Sequence, residues 1–283
     1  MDKLRVGEFA LTWLYGGISQ LDGGAMFGVV PKPLWSKRYP NNELNQIPLR
    51  ADPILVEAHG KRLLIESGLG RDRLTEKQKR NFGLLEESLL HESLAALGLS
   101  AGDIDIVMMT HMHYDHANGL VSKVEDRLTS TFPNAVIYVQ ETEWNEMRAP
   151  NIRSRNTYWE ENWRPIQQQV ETFGKEHEVL PGIVMHHTGG HSDGHAIIRM
   201  ESQGEVLLHL ADLLPTHAHQ NPLWVMAYDD YPMTSIFAKE KWIAEGIKDS
   251  AWFSFYHDAL YRALKWNEAG EIIEKVEIGE RHL

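Results

Sequence analysis

The sequence contains no cysteine among its 283 residues, and this absence excludes several chemistries at once. Disulfide bonds, thiolate metal sites and a cysteine nucleophile are ruled out, so any metal must be held by imidazole and carboxylate groups. No apolar stretch approaches the roughly 20 residues that a membrane-spanning helix requires. Residues 1–9 also lack the apolar run of a secretory signal, so we expect a cytoplasmic protein that does not associate with membranes.

Basic residues are in the minority, with 28 Lys and Arg against 40 Asp and Glu and a formal net charge of −12. This charge would repel a phosphate backbone, and the densest basic stretch, residues 71–80, includes acidic residues that dilute it. No nucleic-acid partner is therefore expected. The balance of 42% hydrophobic and 24% charged residues is typical of a globular enzyme, and we expect one domain over residues 1–283.

Histidine is well represented, and three of the 15 histidines cluster with a carboxylate in one short segment, which contains His111, His113, Asp115 and His116. The preceding residues 105–110 form an apolar run that predicts a buried strand ending at this cluster. Side chains two residues apart on an extended backbone point to the same side, so His111 and His113 can bind one ion together. Asp115 and His116 are adjacent and remain available for a second ion.

The pattern His-x-His-x-Asp-His resembles the signature of the metallo-β-lactamase superfamily. The resemblance implies an α/β fold, the αββα four-layer sandwich, and further ligands in a fixed order along the chain. Three residues match that order: His191 in the small-residue turn 188–195, Asp212 at the end of the apolar run 207–212, and His257 after the aromatic run 252–256. The implied metal ligands are His111, His113, Asp115, His116, His191, Asp212 and His257.

In this family the counterpart of Asp212 bridges two divalent ions, and the same arrangement is expected here. Zinc is the expected metal, although manganese, cobalt and iron(II) suit the same ligands. His195 follows His191 in the same turn and is expected to support a ligand without binding metal itself, because metal-bound imidazoles need a partner for their other nitrogen.

Residues 16–49 are rich in glycine, proline, asparagine and aromatics, which predicts a long irregular substrate loop. Within it, residues 21–32 resemble a segment shared by quorum-quenching N-acyl-homoserine lactonases and methyl parathion hydrolase-like enzymes. We expect Met26, Phe27, Trp35 and Trp224 to form an apolar pocket for a small-molecule substrate with an acyl chain or an aromatic group. The same loop could cover a partner in a homodimer.

These resemblances imply a lactonase that opens N-acyl-homoserine lactones by attack of a hydroxide held between the two ions on the lactone carbonyl. Asp115 would orient that hydroxide and pass a proton to the leaving oxygen. An organophosphate or aryl ester hydrolase of the methyl parathion hydrolase type is the first alternative, and a thioesterase of the glyoxalase II type the next. From another class, a flavodiiron-like oxidoreductase remains as an alternative, although such proteins normally carry glutamate in place of one loop histidine and His113 argues against it.

Two positions depart from the pattern of the lactonases. Glu66 stands where the family often has an aspartate beneath the metals, and Pro215 stands where some lactonases have a tyrosine that contacts substrate. Tyr228 is a candidate donor in place of that tyrosine. The lack of that tyrosine favours the methyl parathion hydrolase-like side of the branch, whose members can still be good lactonases.

Periodicity predicts the remaining elements. Residues 54–65 should form a hairpin, 135–139 a strand, and 84–97 a helix that stops at Gly98. A helical region at 141–174, with a loop around Pro150, is expected to cap the site. In the second half we predict strands at 183–187, 196–200 and 205–210, and a helix at 234–247.

Overall fold

Two seven-stranded β-sheets frame the protein, whose computed structural model describes residues 1–280. The first sheet contains, in spatial order, β1 (Lys3–Val6), β2 (Phe9–Trp13), β5 (Ile54–Ala58), β6 (Lys61–Ile65), β7 (Ile106–Met108), β10 (Val136–Gln140) and β11 (Val170–Phe173). The second contains β12 (Glu176–Leu180), β13 (Ile183–His187), β14 (Ala196–Ser202), β15 (Glu205–His209), β16 (Trp252–Ser254), β17 (Tyr261–Trp266) and β18 (Ile272–Glu277). Two small antiparallel sheets pair β3 (Ile18–Asp22) with β4 (Gln46–Arg50), and β8 (Val121–Val124) with β9 (Arg127–Ser130).

Eight α-helices accompany these strands within residues 1–280. They are α1 (Gly23–Phe27), α2 (Lys32–Trp35), α3 (Glu76–Asn81), α4 (Leu90–Ala96), α5 (Tyr114–Ala117), α6 (Glu141–Arg148), α7 (Glu160–Trp163) and α8 (Pro232–Lys248). In this part of the chain, no helix combines the length and the apolar character needed to cross a bilayer.

The apolar residues form layers that account for the architecture. One core lies between the two sheets and contains residues of both, such as Phe9 and Ile54 from the first sheet and Met185 and Leu207 from the second. A second core packs helices α4 and α6 on the outer face of the first sheet. A third core packs α8 on the outer face of the second sheet. The predicted αββα four-layer sandwich is therefore confirmed.

The strand ends bring the predicted ligand segments to one edge of the sandwich. Strands β6, β7 and β10 run parallel, as do β15 and β16, so their carboxyl ends meet at a common edge. His111 follows the end of β7, Asp212 follows β15, and His257 follows β16, while the turn with His191 leads directly into β14. Residues far apart in the chain are thus delivered to the same place, as is usual for sites in α/β proteins.

Three predicted elements differ in the structure. The helix expected at 84–97 is restricted to Leu90–Ala96, because the backbone of Leu85 and Glu86 bonds to Ile18 and forms a bridge there. The region 141–174 is helical at first but ends in strand β11, which pairs in parallel with β10. The excursion 16–49 is more regular than expected, because it contains the β3–β4 pair and helices α1 and α2.

Candidate metal centre

The first group of converging side chains consists of His111, His113 and His191, all buried. Nδ1 of His113 lies 3.0 Å from Nε2 of His191. Two nitrogens that each lie about 2.1 Å from one zinc ion at a tetrahedral angle are about 3.4 Å apart. The turn that presents His191 requires Gly190, whose φ is 102° and where a Cβ would lie 2.7 Å from the hydroxyl oxygen of Ser235. This trio therefore has the spacing of ligands to one ion.

The second group consists of Asp115, His116 and His257. Nε2 of His116 lies 3.2 Å from Nε2 of His257, which in turn lies 3.5 Å from Oδ2 of Asp115. Asp115 and His116 occupy the short helix α5, which turns their side chains toward the edge where β16 ends. This trio has the spacing of ligands to a second ion.

Asp212 lies between the two groups and directs one carboxylate oxygen to each. Its Oδ2 is 3.3 Å from Nε2 of His191, and its Oδ1 is 3.2 Å from Nε2 of both His116 and His257. Burial opposes ionisation of Asp212, but the imidazoles of His257, His116 and His191 outweigh it and hold its pKa well below the usual range. The structure thus brings all seven predicted ligands together, with Asp212 placed to bridge two ions.

The donor set fits divalent metal ions. Nε2 of His111 is completely buried and makes no hydrogen bond within the described part of the chain, which is costly unless it binds something else. Burial lowers the pKa of His111 and of His113 well below the usual value, so both imidazoles are neutral, as metal ligands must be. The set of five imidazoles and two carboxylates suits zinc and its neighbours in the first transition row.

Partners behind the ligands fix the orientation of the imidazoles. Nδ1 of His191 hydrogen-bonds to Oδ1 of Asp229 at 2.9 Å, and Nδ1 of His257 donates to the carbonyl oxygen of Arg50 at 2.7 Å. These contacts engage Nδ1 of each ring and leave Nε2 of His191 and of His257 available to coordinate a metal ion. His195 contacts the hydroxyl of Thr188 through Nδ1 at 3.1 Å and belongs to neither group of ligands.

Glu66 lies directly beneath the centre. Its side chain is fully buried, Oε1 is 3.4 Å from Nδ1 of His116, and it accepts hydrogen bonds from the hydroxyl and backbone N–H of Thr110. The Thr110 hydroxyl also lies 3.1 Å from Nδ1 of His111. Glu66 has a backbone φ of 61°, and its carboxylate groups with His111 and His116 on the buried side of the centre.

A cavity of about 420 Å³ opens onto the two groups of ligands. This volume is within the usual range for small-molecule sites. It is lined by Leu21, Met26, Leu49, Phe82, His113, Tyr114, Asp115, Arg153, Ser154, Thr157, His191, Asp212, Met226, Ala227, Tyr228, Asp230 and His257. The capping region 141–174 contributes three of these residues and the loop 16–49 contributes three others, so both regions reach the site as expected.

Of the four predicted pocket residues, only Met26 lines this cavity. Phe27 and Trp35 are at most 1% exposed and stack on each other at 4.8 Å, and Phe27 also stacks on His219. Trp224 packs against the same cluster and does not reach the cavity. The prediction of substrate contact is therefore corrected for Phe27, Trp35 and Trp224, because the rings of Phe27 and Trp35 are buried in one cluster and Trp224 packs against it outside the cavity lining.

Tyr228 lines the cavity, whereas Pro215 does not. Burial raises the pKa of the Tyr228 hydroxyl, with further contributions from the charges of Asp22 and Asp115. The hydroxyl is therefore protonated at neutral pH and can act as a hydrogen-bond donor toward a bound molecule.

Glu143 connects the two ligand loops, residues 111–116 and 188–195, and no local pattern in the sequence indicated this role. Its buried carboxylate accepts hydrogen bonds from the N–H of Met112 at 2.7 Å, the hydroxyl of Tyr158 at 2.8 Å and the hydroxyl of Ser192 at 2.6 Å. Gly194 approaches the backbone of Glu143 so closely that a Cβ would lie 2.0 Å from its nitrogen. One residue therefore joins both ligand loops to the capping region.

Comparison with known proteins identifies the group to which this architecture belongs. The family model described as the metallo-beta-lactamase superfamily matches residues 48–248. An N-acyl homoserine lactonase from Bacillus thuringiensis is 30% identical over 127 residues, which are 44% of this chain and 45% of that protein. The chain thus spans less than half the length of this lactonase.

Solved structures agree with the fold over its full extent. A probable metal-dependent hydrolase from Staphylococcus aureus has 48% sequence identity and a TM-score of 0.95, covering 99% of this chain and 100% of that chain. AidC, a dizinc quorum-quenching lactonase in complex with a product N-hexnoyl-L-homoserine, has 19% identity and a TM-score of 0.78, covering 100% and 98%. At that identity the likeness to AidC concerns the fold alone.

Proposed function

The chain belongs to the metallo-β-lactamase superfamily, and from this premise we propose that it is a dinuclear metal-dependent lactonase that opens N-acyl-homoserine lactones. The observation that carries the proposal is Asp212, which directs one oxygen to each of two ligand trios at the base of a largely apolar cavity. Membership of the superfamily and the lactonase relatives support the same chemistry.

His111, His113 and His191 would hold one ion, Asp115, His116 and His257 the other, and Asp212 both. Two such ions, when bound, polarise a carbonyl group and make water acidic enough to attack it near neutral pH. Two divalent ions carry four positive charges, and the carboxylates of Asp115 and Asp212 neutralise only two of them. The centre would therefore remain cationic although the protein is acidic.

Asp115 is suited to move a proton. Its side chain is 19% exposed and lines the cavity, and Oδ2 faces His257. The other oxygen can receive the proton of the attacking water and deliver it to the alkoxide that leaves when the lactone ring opens. Tyr228, on the same cavity, can donate a hydrogen bond to the carbonyl or amide oxygen of the substrate.

The cavity wall matches an acyl arm. Leu21, Met26, Leu49 and Met226 supply apolar surface to the lining of the cavity. An alkyl chain placed against such a wall gains about 0.8 kcal/mol for each methylene that it buries. We therefore expect chain length to affect kcat/KM through burial in this cavity.

Removal and return of metal tests the proposal. Protein stripped with a chelator should leave the lactones intact, and zinc should restore ring opening, followed by mass spectrometry as addition of one water. Asp115→Asn should lower kcat by about 10²–10⁴-fold, whereas Asp126→Asn, an exposed residue in the β8–β9 turn, should have no effect. If fully loaded protein leaves acyl-homoserine lactones of every chain length intact, the substrate assignment is wrong.

One observation favours an aryl ester or aryl phosphotriester as a second candidate substrate. Phe82 and Tyr114 stack at 4.2 Å, both line the cavity, and Trp159 extends the stack from Tyr114 at 5.1 Å. An aromatic leaving group could pack against these rings. The ratio of kcat/KM for a lactone to that for an aryl phosphotriester, measured on the same zinc-loaded preparation, decides between the two.

A further inference from the structure

Lys239 is a buried lysine that the metal centre does not use. It lies in helix α8 with 1% of its surface exposed, and burial lowers its pKa to about 7. Its Nζ donates to the backbone carbonyl oxygens of Trp224 at 2.7 Å and Asn221 at 3.3 Å. The two carbonyl groups are the hydrogen-bond partners of this ammonium among residues 1–280, and the negative charge of Asp229 acts on it from beyond ion-pair distance. Burial of an ammonium group costs desolvation free energy, so we infer that its two hydrogen bonds have a structural role.

The two carbonyl groups belong to segment 221–228, which leads directly into the cavity. Met226, Ala227 and Tyr228 line the cavity two to four residues beyond Trp224. Lys239 therefore binds the beginning of segment 221–228, and the end of the same segment lines the cavity.

The same segment is joined to helix α1. The N–H of Ala227 donates to the carbonyl oxygen of Ala25 at 2.8 Å. A Cβ added to Gly28 would lie only 2.5 Å from the carbonyl oxygen of Val225, so the two backbone segments are in contact. Met26 of α1 lines the cavity as well. Segment 221–228 and Met26 thus form one continuous surface, called here the methionine wall, and it is held from behind by Lys239.

We propose that Lys239 is a positioning residue that fixes the methionine wall and thereby sets the length of acyl arm that the cavity accepts. The second half of this statement rests on the proposed lactonase function, whereas the first half does not. A short arm ends near the ligands, so the position of the wall matters little to it. A long arm packs along the wall and depends on the distance between Met226 and the metal centre.

The test compares Lys239→Met with Lys241→Met. Methionine has a similar length and suits a helix but donates no hydrogen bond. Lys241 is an exposed lysine on the same helix, and its ammonium lies 3.9 Å from Glu245 and 4.5 Å from the ring centroid of Trp242, away from segment 221–228. Hydrogen exchange of the amides in segment 221–228 should become about tenfold faster in Lys239→Met, which corresponds to loss of about one net hydrogen bond. Lys241→Met should exchange as the wild type does.

Kinetics supply the second readout. In Lys239→Met, kcat/KM for dodecanoyl-homoserine lactone should fall about tenfold relative to that for the butanoyl substrate, mainly through KM, with metal content unchanged. Lys239→Arg, which keeps the donors, should restore part of the ratio. If Lys239→Met does not fold, Lys239→Gln, which keeps one donor group, replaces it and should give a smaller change of the same sign.

The outcomes separate the two proposals. Unchanged exchange in segment 221–228 overturns the positioning role of Lys239. Faster exchange with an unchanged ratio of the two substrates overturns its effect on chain length. A wild-type protein that opens neither lactone contradicts the proposed function, while the exchange measurement still decides the positioning role.

Discussion

Glu143 allows a stringent test of how the ligand loops are held together. Its carboxylate receives three hydrogen bonds, from Met112 and Ser192 in the two ligand loops and from Tyr158 in the capping region. Replacement by alanine leaves three buried donors without their acceptor and opens a cavity. Each unsatisfied group costs about 1–3 kcal/mol, so we expect Glu143→Ala to lower the free energy of unfolding by about 4 kcal/mol or more.

The effect of Glu143→Gln should depend on pH. Burial raises the pKa of Glu143 to about 7, although the hydrogen bonds from Ser192, Met112 and Tyr158 act in the opposite direction. Between the unfolded value of 4.5 and about 7, the folded protein binds more protons than the unfolded chain, so wild-type stability falls as pH rises through this window. The difference of about 2.5 pKa units corresponds to about 3 kcal/mol.

Glutamine resembles the protonated carboxyl group and does not titrate. Glu143→Gln should therefore cost about 1 kcal/mol at pH 5 and should be more stable than the wild type at pH 8. Urea denaturation of metal-free protein at both pH values measures the difference in free energy of unfolding between variant and wild type, without a contribution from metal binding. Glu141→Gln, an exposed position in the first turn of the same helix, is the control. A free energy of unfolding that changes with pH in the same way for Glu143→Gln and the wild type would refute the reasoning. A decrease in that free energy of less than about 1 kcal/mol for Glu143→Ala would also refute it.

Three further predictions concern metal content and folding. Asp212→Ala should lose both tightly bound ions and His257→Ala only one, as measured by elemental analysis after desalting; equal losses would contradict the bridging arrangement. Gly194→Ala should prevent folding, because its Cβ would lie 2.0 Å from a backbone nitrogen, whereas Gly174→Ala meets no atom within 4 Å and should leave the melting temperature nearly unchanged. Burial would raise the pKa of Asp52, but the charges of Arg262 and Arg50 outweigh it and lower that pKa. The contribution of Asp52 to the free energy of unfolding is therefore present above the unfolded pKa of 3.8 and is lost as pH falls through the folded pKa. Asp52→Asn should therefore cost about 3–5 kcal/mol at pH 7 and clearly less at pH 3 in denaturation experiments.

The convergence of the seven candidate ligands was predictable from sequence, because it starts from a local motif. His111 to His116 form one motif, and the resemblance that this motif carries predicted the three others: His191 in a small-residue turn, and Asp212 and His257 after apolar strands. The layered fold followed from the same pattern of strands and from the resemblance that the motif carries. For example, the strand at Ile183–His187 is found as predicted, and the predicted helix at 234–247 extends to Pro232–Lys248.

Side-chain environments were not predictable in the same way, because they depend on partners distant in sequence. Phe27 looked like a pocket residue, yet its ring is buried against Trp35 and His219, the latter nearly 200 residues away. Glu143 and Lys239 carry no motif, and their roles follow only from contacts made after folding.

The contact between His191 and Asp229 has a consequence for how this enzyme could acquire new substrates. Asp229 adjoins Tyr228 and Asp230, which line the cavity, so the same short loop orients a ligand and shapes the pocket. Mutations selected there for a different specificity would also weaken retention of the cation. Randomised libraries built at Leu21 and Leu49 instead would reshape the part of the lining that comes from strands β3 and β4, while leaving that loop intact.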